Sequence, residues 1–272
     1  MSFKGRTILI TGASRGIGRE TAIRCAQAGA NIVVTGKSVQ EGKLPGTIFS
    51  VAKEVEVAGG KALPIEVDVR NENQIEAMVQ KTIEHFGRLD VLIHNAGTVQ
   101  LTSVEETLPK RMDLMLDINL RAALLCSHFC IPHLKKQGGH ILFLSPPLTT
   151  DPKWYGRHAP YTITKMGMSL ATLGLAEELK EYKISVNSIW PRTLIWTAAV
   201  EMLLGPDGKL KSRHPKIVAD AIYEILKTAP GTMTGKHLID EDFLKEKGVT
   251  DFTKYNAAPN ATPMLDLYIE SV

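Results

Sequence analysis

The sequence predicts an α/β fold: a doubly wound parallel sheet of about seven strands with helices on both faces. Three observations predict it. Strand-like apolar runs recur along the chain, most of them continuous, which suits strands covered on both faces. Stretches with a single apolar helical face fill the gaps between the runs. The repeated order strand, helix, strand builds right-handed βαβ units on one parallel sheet.

The strand-like runs are residues 7–10, 32–35, 62–67, 91–94, 141–144, 184–189 and, more weakly, 237–239. Between the second and third, Ile48, Val51, Ala52 and Val55 form one helical face, closed by Gly59-Gly60. After the third, Asn71 and Gln74 have capping-box spacing. Ile75, Met78, Val79, Thr82, Ile83 and Phe86 then make the next apolar face, and Gly87 follows as a C-cap. Residues 112–125 are helical in pattern, and 204–215 is the best candidate for a mobile loop. No repeat, low-complexity tract or linker interrupts the chain, so residues 1–272 are expected to form a single domain.

Composition narrows the function classes. Hydrophobic residues make up 44% and charged residues 22%, the balance of an ordinary soluble globular protein. A net charge of +3 with scattered Lys and Arg predicts no nucleic-acid partner and no anionic membrane partner. No run of about 18 apolar residues predicts a membrane span. The N-terminus passes straight into a strand and leaves no room for a signal peptide. Three cysteines, an odd count, point to a reducing compartment, and a cytoplasmic location is expected.

The stretch TGASRGIG, 11–18, follows the first strand and opens a helix. Gly12 permits a tight turn, while Gly16 and Gly18 let backbone N–H groups approach a pyrophosphate at the helix N-terminus. In that context the glycines indicate a Rossmann-type dinucleotide site lined by Gly12, Ser14, Arg15, Gly16, Ile17 and Gly18. The second strand ends in Gly36-Lys37, with no carboxylate to accept from a ribose 2′-hydroxyl. Lys37 and Arg15 can instead face a 2′-phosphate, which favours NADP(H) over NAD(H) as cofactor.

Further motifs stand at matching points: Asp68-Val69 after the third strand, HNAG at 94–97, Asn119 in DINLRA, and Tyr161 four residues before Lys165. Together with the glycine turn they resemble the short-chain dehydrogenase/reductase superfamily, over about residues 5–239. KLPGTIF (43–49), SPPLTTDPKWY (145–155) and LIDEDFL (238–244) resemble most closely its hydroxysteroid dehydrogenase-like protein 2 branch. In that branch a sterol-carrier domain commonly follows, so the resemblance implies the reductase part alone.

The resemblance implies an NADP(H)-dependent oxidoreductase that interconverts a carbonyl and a secondary alcohol. Tyr161 and Lys165, at i and i+4, share a helix face. A free tyrosine has a pKa of about 10, and a nearby ammonium is expected to lower it. By resemblance Tyr161 exchanges a proton with the substrate oxygen, and Lys165 also holds the nicotinamide ribose. Asn119 is implied to kink its helix and relay protons from Lys165 through a water. Asn95, Ala96 and Gly97 are implied to pack beside the adenosine, and Asp68 and Val69 to cap the adenine. His94 replaces the usual asparagine of that turn and reads as structural. Pro191 is implied in the turn over the nicotinamide, which carries Arg192 as a bulky cation, and Thr197 resembles the threonine that contacts the carboxamide.

SPPLTT, 145–150, departs from the family. Two serines commonly close this strand, and the second hydrogen-bonds the substrate. Its place here is Pro146, which has no donor. Ser145 is the nearest hydroxyl, with Thr149 and Thr150 on the loop beyond, or it only satisfies backbone groups at the strand end. Cys126, Cys130 and His133 share a helix face, but no second ligand pair has metal spacing, so no metal is expected. Trp154, Trp190 and Trp196 follow strand ends, where they either line an apolar substrate pocket or pack the core. The expected partners are a small apolar carbonyl or alcohol and further copies of the chain, as a homo-dimer or homo-tetramer. A dinucleotide-binding sensor or scaffold with little turnover is the alternative reading.

Overall fold

Continuous apolar strands need cover on both faces, and the chain provides it. A computed structural model describes residues 2–42 and 44–270. Met1, Lys43 of the KLPGTIF stretch, and Ser271-Val272 lie outside the described residues.

Seven parallel strands form one sheet in the order β3-β2-β1-β4-β5-β6-β7. They are β1 Thr7–Thr11, β2 Asn31–Gly36, β3 Lys61–Glu66, β4 Val91–His94, β5 Gly139–Leu144, β6 Ile184–Trp190 and β7 His237–Ile239. Their residues alternate between two cores. Ile8 and Ile10 of β1 meet α1 (Gly16–Ala26), α2 (Ile48–Val57), α8 (Lys216–Leu226) and α9 (Asp240–Glu246). Leu9 faces the other way, toward α3 (Glu72–Phe86), α5 (Ala122–Leu134) and α6 (Ala159–Glu178). Pro64 sits in β3, where an edge strand tolerates a missing donor. Half of the expected capping box forms, with Asn71 accepting from Gln74 N while Gln74 Oε1 accepts from Asp68 N at 2.8 Å, and the expected C-cap Gly87 is left-handed at φ +76°.

The chain crosses from β3 back to β4, on the far side of β1, so β1 and β4 mark the switch point. Ligands of open parallel sheets bind outside the strand ends there.

Three features go beyond the sequence reading. The helical run containing Asn119 is interrupted by a π-helical turn, Leu116–Arg121, between α4 (Pro109–Met115) and α5. The combined helix Pro109–Leu134 is long and apolar enough to cross a membrane by length and composition, which the sequence reading did not foresee. Here Ala122, Ala123, Cys126 and Cys130 of that helix are core residues. The stretch 204–215, expected as a mobile loop, follows α7 (Ala198–Leu204) with a 3₁₀ turn and is tied to the C-terminal tail. Thr262 N donates to Leu210 O at 2.8 Å and Met264 N to Lys211 O at 2.9 Å. Arg213 pairs with Glu241 at 2.8 Å in a largely buried place. These partners lie 28 to 53 residues away in sequence, so no local pattern announces them.

The tail then turns over the end of the sheet. Leu194 N donates to Met264 O at 2.9 Å, Asp266 N to Arg192 O at 3.0 Å, and Trp190 Nε1 to Leu267 O at 2.9 Å. Tyr268 packs with Trp190, Trp154 and Tyr161 in a third, smaller cluster.

Candidate active site

The glycine turn after β1 and the turn after β4 hold each other. Asn95 Nδ2 donates to Thr11 O at 3.0 Å and Gly12 O at 2.8 Å. Thr11 Oγ1 accepts from Asn95 N at 3.1 Å and Ala96 N at 3.0 Å. His94 is fully buried, with Nδ1 3.2 Å from Thr11 Oγ1 and Nε2 3.2 Å from Ile118 O. A proton on Nε2 satisfies both contacts, and burial keeps the ring neutral by lowering its pKa to about 4. Its place is structural, as its sequence position suggested.

The glycines are required by space. A Cβ on Gly12, at φ +66°, would meet Ala96 Cα at 2.9 Å. One on Gly18 would lie 2.6 Å from both Asn95 Nδ2 and Gly12 O. The turn opens onto a groove of about 640 Å³ lined by Gly12, Ser14, Arg15, Gly16 and Ile17, by Lys37, by Asp68-Val69, and by Asn95, Ala96 and Gly97. Gly18 lies behind it, as packing. This cradle, at the N-terminus of α1, fits a dinucleotide pyrophosphate.

At the outer end of the groove the charges are already partnered. Lys37 Nζ lies 3.0 Å from Asp68 Oδ2. Arg70 pairs with the same carboxylate and holds it well below the usual carboxylate range, with Lys37 adding to the effect. Arg15 ties down the 44–46 loop, donating to Ser38 Oγ at 3.0 Å and Gly46 O at 2.9 Å.

The groove runs into a second cavity of about 670 Å³. Ile17, Asn95, Gly97 and Thr197 line both. Tyr161, Lys165, Trp190, Pro191 and the tail residues 264–267 line the second, with Leu101, Leu144, Met202 and Leu203. Lys165 Nζ donates to Leu144 O at 2.8 Å, and burial brings its pKa down to about 8 against the pull of Asp266. Tyr161 does not show the lowered pKa expected from its lysine. Burial pushes the phenol well above its ordinary value, with Tyr268 and Asp266 adding to it.

Asn119 stands in the π turn, fully buried. Its Oδ1 accepts from Thr98 N at 2.8 Å, and its Nδ2 donates to Thr98 O at 3.0 Å and Thr164 Oγ1 at 2.9 Å. Gly97 links it to the lysine: a Cβ there would sit 3.5 Å from Asn119 Oδ1 and 3.8 Å from Lys165 Nζ.

Other predicted residues fall elsewhere. Ser145 is fully buried, its Oγ has no partner among the described residues, and it does not line the cavity. Pro146 O accepts from Ser169 Oγ at 2.6 Å, which fixes the strand end. Thr149 accepts from Asp151 N and Tyr155 Oη, and neither it nor Thr150 reaches the cavity. Arg192, expected over the nicotinamide, turns away to pair with Asp242. The tryptophans divide: Trp190 lines the cavity, Trp154 backs it through Tyr268, and Trp196 borders the groove. Cys126 and Cys130 are core residues, and burial raises both thiols.

Sequence reasoning missed the tail. Asp266 alone supplies a carboxyl to the cavity lining among the described residues. An acidic residue inside the otherwise apolar run PMLDLYI is the signal that points to it.

Comparison with known proteins agrees with this geometry. The family model for short chain dehydrogenase matches residues 6–203. Hydroxysteroid dehydrogenase-like protein 2 of Rattus norvegicus is 48% identical over 268 residues, 98% of this chain and 51% of the relative. The chain therefore spans about half the length of that relative. A solved short chain dehydrogenase from Mycobacterium thermoresistibile is 46% identical, with a TM-score of 0.93 over 99% of this chain and 97% of that one. A metagenomic short-chain oxidoreductase solved in complex with NADP is 26% identical, with a TM-score of 0.73 over 88% of this chain and 98% of that one. A glycine cradle opening onto a buried tyrosine and lysine, matched across nearly the whole chain, makes this an oxidoreductase of the short-chain dehydrogenase/reductase family, in the hydroxysteroid dehydrogenase-like protein 2 branch.

Proposed function

We propose that the chain interconverts a carbonyl and a secondary alcohol on an apolar small molecule, using NADP(H). One observation carries this reading: the groove shaped for a dinucleotide opens onto an apolar cavity at Tyr161 and Lys165. NADP(H), when bound, supplies or accepts the hydride. The glycine turn would hold the pyrophosphate, with Ser14, Arg15 and Ile17 around it. Asp68, Val69, Asn95 and Ala96 would border the adenosine, and Gly97, Pro191 and Thr197 the nicotinamide end. Arg15 and Lys37 would face the 2′-phosphate, since no carboxylate directly follows β2. The neighbour solved with NADP supports that choice.

A buried phenol with a raised pKa holds its proton at neutral pH. That suits Tyr161 to protonate a carbonyl oxygen as it gains charge. Lys165, buried and brought close to neutrality, is placed to return the proton, and Asn119 to orient the relay. The mostly hydrocarbon lining selects an apolar substrate and keeps water from the reacting carbon. We extend the proposal to residues 1–272 acting as one domain. Exposed Leu124 of α5 and Ile163, Leu170 and Leu173 of α6 support assembly into a homo-dimer or homo-tetramer. Three unpaired, buried cysteines fit a cytoplasmic location.

The experiment pairs nicotinamide fluorescence titrations of NADPH and NADH with NADPH oxidation on straight-chain methyl ketones such as 2-decanone. Tighter NADPH than NADH binding together with ketone-dependent oxidation is expected. Equal affinities would overturn the cofactor assignment, and tight NADPH binding without turnover on any ketone would overturn the activity.

A further inference from the structure

A carbonyl oxygen that takes on negative charge has two lone pairs to satisfy, and in an apolar cavity water does not serve the second. Tyr161 can serve one. The end of β5 offers nothing for the other. Pro146 and Pro147 have no N–H, and Ser145 is buried away from the cavity. Two of the cavity's other polar side chains are held in place by neighbours. Asn95 Nδ2 is bound to Thr11 and Gly12, and Arg111 Nε donates to Gln100 Oε1 at 2.8 Å.

Asp266 remains. It lines the same cavity as Tyr161 and Lys165, and it interacts electrostatically with both. Its backbone is fixed by Asp266 N donating to Arg192 O at 3.0 Å. Its Oδ1 accepts from Leu267 N at 2.7 Å, so the side chain is held with one oxygen spoken for. We propose that Asp266, resting on the hydride-transfer reading above, is a second catalytic residue whose carboxylic acid donates a hydrogen bond to the substrate oxygen beside Tyr161.

The surroundings favour the acid form. Burial, with the carboxyl of Asp240 behind it, raises Asp266 to about 7, while Leu267 N–H and the Lys165 ammonium oppose the shift. Tyr161 and Tyr268 also interact with it and both stay phenols at neutral pH, and the Arg111 guanidinium lines the same cavity. A carboxyl kept neutral in an apolar site is a strong donor to a developing oxyanion. In the carbonyl-reducing direction the donor is present below pH about 7 and lost as pH rises through that value.

The test uses the 272-residue chain with NADPH and 2-decanone, comparing wild type, Asp266→Leu, Asp266→Asn and Tyr161→Phe. Asp266→Leu should lower kcat by about 10²–10³, the usual loss of one oxyanion donor. Its NADPH affinity and melting temperature should stay near wild type. Asp266→Asn keeps an N–H donor, so it should recover at least tenfold over Asp266→Leu and lose the fall in rate across neutral pH. Asp266→Leu within threefold of wild type, with Tyr161→Phe inactive, overturns the role of Asp266 alone. Tyr161→Phe as active as wild type overturns the underlying reading instead. A second measurement needs no turnover. At about pH 6 with NADPH bound, infrared difference between wild type and Asp266→Asn should show a carboxylic-acid carbonyl band, and a carboxylate band in its place overturns the proposal.

Discussion

Tyr161 shares an apolar cluster with Met115, Met166, Trp190 and Tyr268, and its burial there governs its protonation. The same side chain on an open helix would titrate near 10; here it is held as a phenol well above that. Tyr161→Phe keeps the ring and removes the proton. Turnover should fall by a factor on the order of 10² or more, with NADPH affinity nearly unchanged, as steady-state rates and a fluorescence titration would show. Ser145 contrasts with it. Its hydroxyl is buried, without a partner, and outside the cavity. Ser145→Ala should therefore leave kcat within about threefold and leave stability unchanged or slightly raised, since an unsatisfied buried hydroxyl is removed. A loss of kcat by two orders of magnitude with an unchanged melting temperature would restore Ser145 to the chemistry.

At the scale of elements, the β1–α1 turn and the β4 turn act as one unit, each supplying the other's hydrogen bonds. A methyl at position 18 meets backbone and amide at 2.6 Å, neither of which can yield cheaply. Gly18→Ala should cost roughly 1–3 kcal/mol by denaturant unfolding and weaken NADPH binding along with it. At the end of β2, Lys37→Asp would add a second carboxylate facing Asp68, remove an attraction for a 2′-phosphate and add a repulsion. NADPH affinity should fall and preference move toward NADH, as paired titrations would show. These features, and the Tyr161–Lys165 pair of α6, were legible in the sequence because their signals are local: glycines at fixed offsets, Lys37 where a carboxylate would stand, Tyr161 and Lys165 one helical turn apart. The π turn at Asn119 was legible only as a kink implied by resemblance, because a one-residue slip in a helix leaves no periodic mark. The fastening of 204–215 was not legible, since its partners are Thr262, Met264 and Glu241. Nor was the turn of Arg192 away from the cavity, which depends on Asp242.

Over the whole molecule, the tail closes the site, and α9 sets a buried carboxyl beside it. Asp240, at the start of α9, accepts from Arg192 N at 2.8 Å and Glu241 N at 2.6 Å, while its Oδ2 has no partner among the described residues. Burial raises its pKa to about 7. Unfolded, it would titrate near 3.9, so its contribution to stability is present below pH about 4 and lost as pH rises to about 7. Asp240→Asn does not ionise. Its melting temperature relative to wild type should climb by several degrees between about pH 4.5 and 7.5, and a flat difference would contradict the raised pKa. Taking the difference cancels the buried histidines His94 and His140, which titrate in both proteins. The joint between groove and cavity is what the fold, the tail and the two pKa shifts at Tyr161 and Lys165 have in common. The most direct measurement of its use is isotopic. The chain is incubated with NADPH carrying deuterium at the transferable C4 position and with 2-decanone, and the product is read by mass spectrometry. The account predicts one deuterium on the carbinol carbon of 2-decanol, greatly reduced with Tyr161→Phe. Labelled NADPH that binds tightly while the recovered alcohol carries no deuterium would contradict it.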